Sequence, residues 1–94
     1  MYFDEVVENV GDVALTRAGR LWVHELRLRA ERLAPQEQFD IGARIEAAYL
    51  AALADLVEFR LNVEGCLGLE TLATQGIDVE PAYEIAAEKS FRGQ

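Results

Sequence analysis

The chain of 94 residues has few of the side chains that build cross-links and metal centres. Its single cysteine, Cys66, excludes a disulfide within one copy. With only one histidine, His24, a zinc site of cysteine and histidine ligands cannot be assembled from one chain. A di-iron bundle needs Glu-x-x-His pairs on facing helices, and the residue three positions before His24 is Leu21. We therefore expect no cofactor.

Basic residues and long apolar runs are also scarce. Nine Lys and Arg against 17 Asp and Glu give a formal net charge of −8. Nucleic-acid binding depends on clustered cations that release counterions, so nucleic acid is not the expected partner. No apolar run reaches the roughly 18 residues of a membrane span. The N-terminal MYFDEVVENV has carboxylates where a secretory signal has positive charge, so we expect a cytoplasmic protein that does not bind membranes.

The apolar residues, which make up 51% of the chain, recur at helical spacing. Alternation of period two, the pattern of strands, is absent over any useful length. The sequence therefore predicts an all-α fold with a single helical domain over residues 1–94. We expect a small bundle of about four to five helices, built on an antiparallel helical hairpin and assembled as a homodimer.

Glycine, proline and aspartate mark the predicted helix ends in the first half of the chain. The first segment, which could be a short helix or equally a strand, should stop at Gly11, and Asp12 should cap a second helix that runs to about Leu33. Pro35 should close that helix and open the next one, because proline disfavours helical backbone in the residue before it and suits a first turn.

Similar signals divide the second half. A helix from Pro35 to Thr74 would be about 60 Å long, so we expect an interruption at Gly65 and Gly68. A short helix should follow over residues 66–75. Asp78 should cap a last helix that runs from residue 80 to about residue 91.

Residues 36–64 are apolar or Ala almost all round the helical wheel, with one thin polar stripe. A helix of this kind must lie between other elements, from its own chain or from a partner. The stripe contains Asp40, Arg44, Asp55, Glu58 and Asn62. We expect a non-enzymatic protein-interaction module, such as a small acidic regulator, inhibitor, immunity factor, adaptor or small subunit, that binds another protein or itself. The residues predicted for this interface are Trp22, Tyr49, Leu53, Val57 and Phe59.

A basic cluster on the second helix supports an alternative reading. Arg17, Arg20, His24 and Arg27 fall on the side opposite its apolar face. Most charged helix faces are simply solvated, but these four residues form a candidate anion site. A third hypothesis, that the protein mimics nucleic acid through its negative charge, is weakened by the arginines in the middle of the chain.

The acidic residues support a second alternative, a magnesium site. Asp55 and Glu58 point the same way at i,i+3 spacing, and carboxylates so placed can hold Mg²⁺ that meets substrate phosphates. The tail GIDVEPAYEIAAEKS resembles the C-terminal segment of all-α nucleoside-triphosphate pyrophosphatases of the MazG type. That resemblance covers under a fifth of the chain. It implies Mg²⁺-dependent nucleotide hydrolysis, with Glu46, Asp55 and Glu58 at the only comparable positions, although Ala47 and Ala48 follow Glu46 and the Asp55–Glu58 order is reversed.

Overall fold

The computed structural model describes the backbone of residues 2–92 and the side chains of residues 12–88. Every regular element in this range is helical, which confirms the all-α prediction. The four α-helices are α1 (Tyr2–Leu33), α2 (Ile41–Glu64), α3 (Leu67–Thr74) and α4 (Glu80–Arg92), and a 3₁₀ helix, Ala34–Gln36, follows α1. None of the described helices combines the length and the apolar composition needed to cross a lipid bilayer.

Helix α1 passes through Gly11 without a break and is 32 residues long. The prediction of a separate first helix, with Asp12 as the cap of a second one, is therefore wrong. A glycine in a helix interior costs about 1 kcal/mol relative to alanine, which a helix with many packing contacts tolerates. The later part of α1 has those contacts, since Ala18, Trp22 and Leu26 are all buried.

The connection from α1 to α2 also differs from the prediction. Pro35 lies in the 3₁₀ helix, and α2 begins only at Ile41. Asp40 has extended backbone, and its Oδ1 accepts a hydrogen bond from the Gly42 N–H at 2.9 Å. This carboxylate satisfies a backbone donor that the first turn of a helix leaves unpaired, so Asp40 rather than Pro35 sets the start of α2.

The predicted interruption between α2 and α3 is confirmed. Gly65 has φ +62°, in the left-handed region that glycine adopts without steric cost, and it ends α2. Gly68 serves a different purpose, because a Cβ atom there would lie 2.6 Å from the Arg60 carbonyl oxygen. Its missing side chain lets α3 fold back closely against the end of α2.

The last predicted helix is confirmed as well. Gly76, with φ +88°, follows the end of α3. The Asp78 carboxylate then accepts a hydrogen bond from the Glu80 N–H at 3.1 Å, as an N-terminal cap does.

Helix α1 packs against both α2 and α4, and α2 packs against α3. All four helices contribute to one apolar core, and Leu69, Leu72 and Val57 are its largest fully buried side chains. Leu50, Leu53 and Leu56 of α2 and Ile85 of α4 are partly buried against it. The molecule measures 58 × 28 × 18 Å. The core covers only one side of α2, because large apolar residues on the other side of this helix are exposed.

Candidate functional site

The side of α2 that faces away from the core is apolar and open to solvent. Its core-facing side carries Ala43, Ala47, Ala54, Val57 and Leu61, all buried. On the opposite side four large apolar residues are between 57 and 65% exposed. This open α2 face consists of Ile45, Tyr49, Ala52, Leu56, Phe59 and Val63, of which only Leu56 is half-buried.

The six residues of the open α2 face follow a strict heptad pattern. Their spacings along the chain alternate between four and three residues, and no polar residue interrupts the row. At 100° per residue they fall within about 80° of one another. This is the pattern of the a and d positions through which two helices pack by inserting side chains between those of the partner.

A further exposed apolar residue extends the open α2 face at its beginning. Ile41, the first residue of α2, is 73% exposed. Scattered apolar residues on a surface need no explanation, whereas a continuous row of this length is typical of a contact site. The row follows the whole length of α2, which is about 36 Å for its 24 residues.

Two of the five predicted interface residues, Tyr49 and Phe59, lie on the open α2 face. Leu53 is half-buried against the core. Trp22 and Val57 were wrong choices for a docking surface, because they are 5% and 0% exposed and belong to the core. Sequence reasoning missed Ile45 and Val63, although their alternating four-and-three spacing with Tyr49 and Phe59 was the signal that could have identified them.

Charged side chains lie along one edge of the open α2 face. Glu46 lines a cleft together with Arg29 and Arg32 of α1. Near the other end of the helix, Arg60 forms an ion pair with Glu64 at 3.3 Å, and its guanidinium lies 5.9 Å from the Phe59 ring centre. One edge of the open α2 face thus carries the negative Glu46 near the start of α2 and the positive Arg60 near the end of α2.

The later part of the polar stripe, from Asp55 to Asn62, contacts α1. Arg27 of α1 donates hydrogen bonds to both carboxylate oxygens of Glu58, at 3.0 and 3.1 Å, and to Asp55 at 3.1 Å. Arg20 donates to the Asn62 side chain at 2.9 Å. The hydrogen bonds from Arg27 lower the pKa of Glu58, with the positive charge of Arg27 as a further cause.

These contacts bear on the alternative magnesium ligands. Asp55 and Glu58 already share Arg27, whose single positive charge balances one of their two negative charges. Glu46 precedes them on the same helix by nine and twelve residues, which correspond to about 14 and 18 Å. The three carboxylates predicted for this site therefore do not converge within one chain, and no group of three potential ligands occurs among the described side chains.

The predicted basic cluster is divided between two grooves. Arg17 and Arg20 line a groove of about 500 Å³ between α1 and the α2–α3 junction. Arg20, His24 and Arg27 line a smaller groove of about 200 Å³, which also contains Glu58. Since Arg27 is bound to two carboxylates, the structure does not assemble the four basic residues into one open anion site.

Cys66 is half-buried and lines the larger groove. Burial raises the pKa of its thiol, and the nearby Asp12 carboxylate raises that pKa further. A raised pKa keeps the sulfur protonated at neutral pH, which is the opposite of what a cysteine nucleophile requires.

The open α2 face is therefore the most developed candidate site in the described part of the chain. Comparison of the chain with models of protein families, with functionally characterised proteins and with solved structures gave no match.

Proposed function

We propose that this protein is a non-enzymatic interaction module that works by associating with a polypeptide through the open α2 face. The continuous heptad row of exposed apolar side chains is the observation that supports this proposal. Removing such a row from water is favourable in proportion to the apolar area covered, roughly 25 cal/mol per Å² before the costs of association are subtracted.

The residue types in the row also suit a contact site. Tyr49 and Phe59 are aromatic residues more than half exposed, and aromatic side chains are enriched at the energetic centres of interfaces. Phe59 has Arg60 beside it, which can provide a polar edge for the apolar row. The roles of regulator, inhibitor, immunity factor, adaptor or small subunit, in the cytoplasm, all depend on contacts of this kind.

The proposal includes the arrangement of α1 and α2 as an antiparallel hairpin. Arg20 bonds to Asn62, while Arg27, about two turns further along α1, bonds to the earlier residues Asp55 and Glu58. Residue numbers thus rise on one helix as they fall on the other. Such a hairpin holds α2 along its length and supports its outer face as a rigid docking surface.

Photo-cross-linking in cells that express the protein tests this proposal. A photoreactive phenylalanine analogue is placed at Tyr49, on the open α2 face, and in a matched control at Tyr83 of α4, which is also exposed. We expect irradiation to give a covalent protein adduct from position 49 and little or none from position 83. The absence of any adduct from position 49, with the protein folded and expressed, would refute the proposal.

A further inference from the structure

We propose that the polypeptide bound by the open α2 face is a second copy of this chain, whose α2 runs antiparallel to the first. This inference rests on the proposed function and names its partner. A two-fold axis would pass beside α2 at the level of Ala54, so that residues at equal distances before and after position 54 meet across the interface.

The open α2 face is symmetric about that position. Counting outward from position 54, its residues occur two, five and nine positions away in both directions. Ala52 is thereby matched with Leu56 of the second copy, Tyr49 with Phe59, and Ile45 with Val63. A two-fold interface needs a surface that is complementary to itself in this way, since the same patch is used by both subunits.

Side-chain sizes favour the antiparallel direction over the parallel one. In the antiparallel register the small Ala52 lies opposite the larger Leu56 of the other copy. In a parallel register each residue meets its own copy, so that Ala52 faces Ala52 between layers of paired Tyr49 and paired Leu56. Such a layer leaves a gap, and gaps in a packed interface forfeit contacts.

Charges on the edge of the face fit the same register. Glu46 and Arg60 occupy equivalent flanking positions of the heptad, next to Ile45 and Phe59. In an antiparallel pair such positions face each other, so Glu46 of each copy lies near Arg60 of the other. The dimer would contain this pair of opposite charges twice, while Arg60 keeps its ion pair with Glu64.

Cross-linking with single cysteines tests the direction of the helices. Cys66→Ser removes the native thiol, and Ile45→Cys and Val63→Cys are introduced separately into chains with tags of different mass. A short bismaleimide reagent should then link the mixture of the two variants into a heterodimer, while each variant alone gives little covalent dimer. Circular dichroism verifies that each variant is helical before it is used.

Charge reversal provides a second, independent readout. Glu46→Arg alone places like charges opposite Arg60, and Arg60→Glu alone places like charges opposite Glu46. The dissociation constant of each variant homodimer should be at least about tenfold higher than that of the native dimer. An equimolar mixture of the two variants should form dimers again, because every pair in the heterodimer is then of opposite charge.

Three results would overturn the inference. Covalent homodimers of the Ile45→Cys and Val63→Cys chains would indicate parallel helices. Failure of the charge-reversed variants to associate on mixing would contradict the proposed register. A native chain that sediments as a monomer would contradict the proposal that the partner is a second copy. In each case a photo-adduct from position 49, with the same chain or with another protein, would leave the proposed function standing. The absence of any adduct from position 49 would refute that function too.

Discussion

The guanidinium of Arg27 binds the carboxylate of Glu58 through two parallel hydrogen bonds of 3.0 and 3.1 Å. The two residues are 31 positions apart in sequence, on α1 and α2. Asp55 adds a third bond to the same side chain. This contact fixes the position of α1 relative to α2. It also turns the polar side of α2 toward α1 and the open α2 face toward solvent.

Arg27→Lys should lower the midpoint of urea unfolding, because an ammonium group keeps the charge but cannot form the two-pronged contact with a carboxylate. The control is Arg29→Lys, since Arg29 forms an exposed pair with Glu25 at 3.7 Å. We expect little change at position 29. Equal effects of the two substitutions would show that the Arg27 geometry has no special importance.

The contribution of Glu58 to stability should depend on pH. The pKa of Glu58 is lowered in the folded chain. In the unfolded chain the pKa of this carboxyl is near the usual value of about 4.3. The stabilisation is therefore fully present above that unfolded pKa. It is lost as the pH falls through the lower folded pKa. The difference in unfolding free energy between the native chain and Glu58→Gln should therefore shrink from neutral pH toward acid. A difference that stays constant would contradict this account.

Gly68→Ala should destabilise the protein by roughly 1–3 kcal/mol, because the added Cβ would meet the Arg60 backbone at 2.6 Å. Gly42→Ala is the matched control. There the nearest atom is a side-chain oxygen of Asp40 at 3.2 Å, so the effect should be smaller and can even be favourable. Thermal unfolding followed by circular dichroism measures both. Equal tolerance at the two positions would argue against the close contact of α3 with α2.

Two leucines of α3 test the extent of the core. Leu72 is fully buried and Leu67 is 61% exposed. Leu72→Ala should cost about 2–5 kcal/mol through lost burial and the cavity left behind, which is a large share of the stability of a small domain. Leu67→Ala should change the stability of the dilute protein by less than about 0.5 kcal/mol. A cost at position 67 comparable to that at position 72 would show that α3 is placed differently.

Much of the helical organisation could be predicted from the sequence. The ends of α3 and α4 follow from local chemistry, since Gly76 adopts a left-handed backbone and Asp78 caps the next helix. The helix boundaries predicted at Gly11 and Pro35 were wrong for a physical reason. Both residue types favour helix ends, but the surrounding residues decide whether a helix ends or begins there. Gly11 is held within a long helix, and Asp40 offers a better cap than the turn at Pro35.

The candidate site could be predicted only in part. Tyr49 and Phe59 were identified, but Val57 was placed on the same surface although it lies in the core. Helix α2 carries apolar or alanine residues almost all round, so hydrophobicity does not distinguish the side packed in the core from the side left open. That distinction comes from α1 and α3, which are packed against the alanine-rich side and leave the heptad row uncovered.

Sedimentation equilibrium of the native chain and of Tyr49→Lys tests the central claim most directly. The native chain, alone at micromolar concentration, should have twice the mass of a single chain, which is 10.5 kDa. Tyr49→Lys should sediment as a monomer, because the new charge would be buried opposite Phe59, while the control Tyr83→Lys should remain dimeric. A native chain with the mass of one copy, or a Tyr49→Lys chain that stays dimeric, would contradict the account.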